Sequence, residues 1–247
     1  MAIDWNQIRA VTFDCYGTLI DWESGIMAAV QAAVPAGSLP PDANAVLKRY
    51  AELERQAEAG AWRLYRLVLS EVGTLLAAEF GLVESQLDVA GSVGRWPAFE
   101  ETPGCLKVLA ARYDVAIWSN VDDALFAGTM PRLGLGALNP RQLVTAEQVQ
   151  SYKPGPAHFR EGLRRLGLEP SNVLHVAESR FHDVEPANAM GMQTVWVNRR
   201  GGAESSASGL PSGSSRETQP GRGPVPLLEV RTLTELLRHA RLEPAAR

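Results

Sequence analysis

Asp14, Ser119, Asn120, Lys153, Glu178 and Asp183 are far apart in the chain, yet each falls at the end of a short apolar run or in the loop after one. A carboxylate held at such a place, as Asp14 is in "FDCYGTLID", can attack an electrophilic carbon or phosphorus. The resulting ester or acyl phosphate is then hydrolysed. Lys153, in "SYKPG", is the cation that would keep Asp14 ionised. Ser119 and Asn120, with the backbone amides of the Gly17–Thr18 turn, are donors suited to a developing anion. Glu178 and Asp183 would either hold a divalent cation with Asp14 or orient the water of a second step. Each residue also has a plain structural reading. Thr18 and Ser119 suit turn capping, and Asp183 suits the N-cap of the helix beginning "VEPANAM".

Those residues need a scaffold that brings distant strand ends together. "IRAVTFD" reads as a buried strand, and "DVAIWSN", "QLVTA", "NVLHVAE", "QTVWVN" and "LLEV" as five more, most of them reached through a helical segment. Strands apolar on both faces and joined by helices predict α/β architecture, a parallel sheet covered on both sides. In such a sheet, function sits beyond the carboxyl ends of the strands. From Trp22 to Trp96 the pattern is helical throughout, with Asp42 and Ser85 as expected N-caps and Gly60 and Gly81 as expected stops. Trp62 and Tyr65 are expected in the packing of that block. A lone first strand cannot make a sheet. The expected division is therefore residues 1–19 plus 97–247 as the α/β core and 20–96 as an inserted helical domain. Residues 199–226, rich in Gly, Ser and Pro, are expected to form a long flexible surface loop.

Composition narrows the class. With 45% apolar and 21% charged residues and a formal charge of −4, the chain resembles an ordinary soluble protein. Nothing suggests a nucleic-acid or membrane partner. Two cysteines, Cys15 and Cys105, indicate neither a disulfide framework nor a structural zinc site. No leader-like or membrane-spanning run is evident, so a cytoplasmic protein, monomer or homodimer, is expected.

Taken in order, "DCYGT" with Asp14, the Ser119–Asn120 pair, Lys153 in "YKP" and the acidic loop "HVAESRFHDVEPA" resemble the four signature motifs of the haloacid dehalogenase (HAD) superfamily. The resemblance spans essentially the whole chain. It implies a HAD-like, Rossmann-like three-layer core, with residues 20–96 as an all-helical cap, and "FDCYGTLIDWESG" is similar to the 2-haloacid dehalogenase branch. It also implies that Asp14 is the nucleophile, that Lys153 is the third-motif lysine and that Asp183 is tied to water activation. Thr18, Ser119 and Asn120 are implied as neighbours of carboxylate and substrate, and Tyr16 matches the dehalogenase residue where phosphatases carry a second Asp. In the last motif phosphatases carry Asp where Glu178 stands; dehalogenases carry Ser there, Asn at Arg180 and Trp at His182. Arg180 and His182 are accordingly read as a substrate-carboxylate clamp and a proton carrier. Arg55, with Arg63 and Arg66, is the expected cap arginine.

Without an acid at Tyr16, phosphate-ester hydrolysis would lose roughly 10²- to 10⁴-fold, since nothing protonates the departing alkoxide. A halide needs no proton. The reading is therefore an enzyme that dehalogenates a small anionic 2-haloacid through an aspartyl ester, without a cofactor. The first alternative is a Mg2+-dependent phosphatase with Asp14, Glu178 and Asp183 as metal ligands; the second is a non-enzymatic binding module.

Overall fold

The computed structural model describes residues 2–201 and 225–242, so most of the expected 199–226 loop lies outside the described residues. Six strands, β1 (Ala10–Phe13), β2 (Asp114–Ser119), β3 (Leu143–Thr145), β4 (Val173–Ala177), β5 (Gln193–Val197) and β6 (Leu228–Val230), form one sheet in the order β3-β2-β1-β4-β5-β6. Every pairing is parallel. The expected α/β class and all six strands are present. β1 and β4 are buried along their whole length, as two-sided coverage requires. The order reverses beside β1, where a crevice opens at the strand ends and ligands of such sheets lodge.

The helices are α1 (Trp22–Ala32), α2 (Ala43–Glu58), α3 (Tyr65–Phe80), α4 (Val89–Ser92), α5 (Thr102–Ala110), α6 (Asp123–Thr129), α7 (Ala146–Val149), α8 (Ala157–Leu166), α9 (Glu185–Ala189) and α10 (Leu233–His239). The first four make a helical cap between β1 and β2. Asp42 caps α2 through Ala45 N, and Gly81 ends α3 in the left-handed region at φ +66°. α2 ends at Glu58 with Ala59 as its C-cap, directly before Gly60 as expected, but Ser85 lies in a short 3-10 turn while Asp88 caps α4. The two chain crossings run side by side: Asp21 N donates to Pro97 O and Phe99 N to Leu19 O.

Cap and core are also joined by side chains. α3 has no cap of its own at Leu64; instead Asp122, buried in the core at the end of β2, accepts from Tyr65 N at 2.7 Å and Arg66 N at 2.9 Å. Tyr152 OH donates to Arg63 O at 2.8 Å. Gly94 and Gly128 meet backbone to backbone; a Cβ on Gly128 would come within 3.1 Å of Gly94 Cα. Among the described residues no helix is long and apolar enough to cross a membrane.

Candidate active site

β1 ends where its chain turns through Gly17, whose φ of +93° disfavours any side chain. Asp14 projects from that strand end into a cavity shared by core and cap. Thr18 Oγ1 donates to Asp14 Oδ2 at 3.0 Å and accepts from the Glu178 amide at 2.9 Å. Thr18 is fully buried and does not line the cavity, so it orients the carboxylate rather than touching substrate. That corrects the substrate contact expected of it.

Lys153 Nζ, itself buried, donates to Asp14 Oδ1 at 2.8 Å, Asp183 Oδ1 at 2.6 Å and Trp118 O at 2.9 Å. Asn120 fixes the lysine's backbone: Oδ1 accepts from Lys153 N at 2.8 Å and Nδ2 donates to Lys153 O at 3.3 Å. Burial alone would discharge the ammonium, but Asp14 and Asp183 outweigh it and hold Lys153 above its ordinary range. Burial likewise pushes Asp183 up, yet Lys153 and the bond from His175 outweigh it and keep its carboxyl well below the usual range. Asp14 stays raised: burial, with Asp183's charge, exceeds what Lys153 and Thr18 return. Its ionised form is thus held by one ammonium shared with a second carboxylate.

Asp183 is not a helix N-cap. It sits inside a π-type turn, Arg180–Val184, whose start is capped by Ser179 Oγ accepting from His182 N at 3.1 Å. Its carboxylate instead takes Lys153 and, at 3.1 Å, His175 Nε2. Since an ionised carboxylate only accepts, Nε2 is the donor and Nδ1, 2.8 Å from Thr12 Oγ1, is free to accept. His175 lies stacked against Trp118 within the sheet. Sequence reasoning missed it, though a histidine in the apolar run "NVLHVA" was the available signal.

The remaining expected residues separate. Ser119, Asn120, Tyr16, Glu178 and His182 all line the cavity. The Ser119 hydroxyl is buried without a hydrogen-bond partner among the described residues. Tyr16 OH is 2.9 Å from Thr129 Oγ1, and burial raises the phenol well above its usual range. His182 is pushed down to about 4 by burial, so it is neutral at pH 7. Arg180 is not on the lining; its guanidinium stacks over Trp196, 5.3 Å from the ring centre, which corrects the expected carboxylate clamp. Arg55 is exposed on α2, Arg63 pairs with Glu71, and Arg66 is 3.8 Å from Asp122. None of the three lines the cavity. From the cap come Trp22, Tyr50, Glu54, Glu58, Tyr65 and Trp96 instead, so Tyr65 is a cavity residue as well as packing.

A Mg2+ ion does not fit the residues present. One oxygen of Asp14 and one of Asp183 accept from Lys153 Nζ, and the other Asp14 oxygen accepts from Thr18 Oγ1. Among the described residues no three His, Cys, Asp or Glu side chains gather as a metal requires. Asp14, Glu178 and Asp183 share the cavity lining but do not form such a group among the described residues.

An α/β sheet with a helical cap and an aspartate at the end of its first strand defines a class of hydrolase scaffold. Within it, this chain belongs to the haloacid dehalogenase-like hydrolase family, whose model matches residues 8–191. It is 29% identical over 203 residues to (S)-2-haloacid dehalogenase 1 of Pseudomonas sp. (strain CBS-3), covering 78% of this chain and 86% of that protein. Among solved structures, L-2-haloacid dehalogenase PA0810 superposes with a TM-score of 0.74 at 25% identity, covering 95% of this chain and 99% of the other. The Xanthobacter autotrophicus L-2-haloacid dehalogenase with chloropropionic acid covalently bound gives a TM-score of 0.74 at 22% identity, covering 95% and 98%.

Proposed function

We propose that this hydrolase removes halide from a small 2-haloacid by way of an ester on Asp14. An Asp14 carboxylate oxygen attacks the halogen-bearing carbon, and the carbon–halogen bond breaks with its electron pair leaving on halide. Water then adds to the carboxyl carbon of Asp14, giving up a proton towards Asp183. The hydroxy acid departs and the carboxylate is restored. Lys153 balances the charge throughout, and His175 holds Asp183 in place. The cavity, about 90 Å³, suits a substrate of a few heavy atoms, since one water needs roughly 10–15 Å³ on this scale.

The observation that carries this reading is Tyr16. Its phenol is tied to Thr129 and raised by burial, so it is a poor acid for a departing alkoxide, whereas a halide needs no proton. The dehalogenase relatives support it further. No cofactor enters these steps, and residues 20–96 act as the cap that closes the site. Purified protein should release chloride from 2-chloropropionate in the presence of EDTA. Silence across a panel of halogenated acids, with magnesium-dependent release of phosphate from esters, would transfer the site to phosphatase chemistry.

A further inference from the structure

The cap side of the cavity is built for a positive charge. Glu54 and Glu58, one turn apart on α2, both line it, and among the described residues no arginine does. Among the described residues Lys153 is the single cationic side chain on that lining, and it is already shared between Asp14 and Asp183. Tyr50 OH and Tyr65 OH both donate to Glu54 Oε1, the former at 2.9 Å, so Oε2 takes neither bond. Glu58 makes no hydrogen bond or ion pair among the described residues. Burial, then the charge of Glu54, raises Glu58 well above the usual carboxylate range, as expected of an acid lacking a cation. Aromatic faces adjoin the pair: Trp22 stacks on Tyr50 with ring centres 5.3 Å apart, and Tyr16 meets Trp96 edge-on at 5.6 Å. On the same lining the buried Ser119 hydroxyl, without a hydrogen-bond partner among the described residues, marks the cavity as one that receives a ligand.

We propose that Glu54, Glu58 and the adjoining rings of Trp22 and Tyr50 form a subsite for an organic ammonium group, making the preferred substrate an amine-bearing 2-haloacid. Carboxylates and aromatic faces are the two surfaces that hold a desolvated ammonium, by charge-assisted hydrogen bonds and by attraction to the ring quadrupole. The ammonium offsets the cavity's negative charge, and the substrate's own carboxylate lies at Ser119. The identity of the reacting carbon rests on the dehalogenase reading; the ammonium subsite is independently measurable.

The test is calorimetric and fluorescence titration of the whole protein with propylammonium and with 1-propanol, its neutral counterpart of similar size. The ammonium should bind saturably at least tenfold more tightly, and Glu54→Gln and Glu58→Gln should each weaken it at least fivefold with an unchanged circular dichroism spectrum. Equal binding of the two probes overturns the subsite whatever the halide assay shows. That comparison uses the wild-type chain and stands even if a variant misfolds. Chloride release from 3-amino-2-chloropropionate should exceed that from 2-chloropropionate at least tenfold in kcat/KM; equal rates overturn the substrate class. Selective ammonium binding with no halide released from either acid would leave the subsite standing and overturn the dehalogenase reading instead.

Discussion

One ammonium between two buried carboxylates dominates the site at the level of single residues. Lys153 Nζ sits 2.8 Å from Asp14 and 2.6 Å from Asp183, all three buried, so neither acid has a nearer counterion. Lys153→Met leaves both acids in low dielectric beside each other and should cost about 3–5 kcal/mol. Urea unfolding at neutral pH measures it; a loss under about 1 kcal/mol would show that water already screens the pair. Asp183→Asn added to Lys153→Met should recover part of the loss. The two acids also titrate with opposite signs. Asp183, depressed, stabilises the fold above the ordinary aspartate range and loses that as pH falls towards its folded value. Asp14, raised, binds its proton more tightly when folded, so its contribution falls as pH rises through its folded value. The types of these residues were legible in the sequence because each lies at the end of an apolar run or in the loop that follows one. His175 was less legible, since a buried histidine carries the same one-letter signal as a structural one.

At the scale of elements, the cap helix α3 depends on the core for its start. Leu64 provides no capping oxygen, and Asp122 reaches across to accept from two of the orphan amides of the first turn. Asp122→Ala should therefore lower stability by about 1–2 kcal/mol. It should also speed proteolytic cleavage within residues 59–65 relative to the core, seen by limited digestion and mass spectrometry; an unchanged digestion pattern would show that the other cap contacts suffice. Periodicity revealed α2 and α3 well, because their buried positions recur every three to four residues. The stretch 84–95 breaks instead into 3-10 turns and the short α4, since Asp88 captures the Gly91 amide and restarts the helix there. Packing of α8 on the sheet was equally invisible: a Cβ on Gly162 would lie 2.2 Å from Trp118, so only glycine permits that approach.

For the whole molecule, burial of neutral histidines sets the response to acid. Burial pushes His158 down to about 3 and His182 to about 4, whereas in the unfolded chain both titrate near 6.5. Between those values the unfolded state binds more protons, so stability should decline as pH falls from 6.5 towards 4 and be fully present above 6.5. The midpoint of urea unfolding followed across pH 4–8 checks this; a flat profile would contradict it, and His182→Gln should reduce the slope. By itself the sequence determined the parallel α/β core, the helical insert and the identities of Asp14, Lys153 and Asp183. Alternating apolar runs, helical periodicity and strand-end polar residues are local properties of the chain. Tertiary structure alone decided which polar groups share one space. It stacked Arg180 on Trp196, left Arg55 exposed, and set Glu54 and Glu58 on the cavity that Asp14 lines. A side chain's direction on a helix becomes a direction in the site only once the helix is docked, and docking depends on contacts between residues distant in the chain.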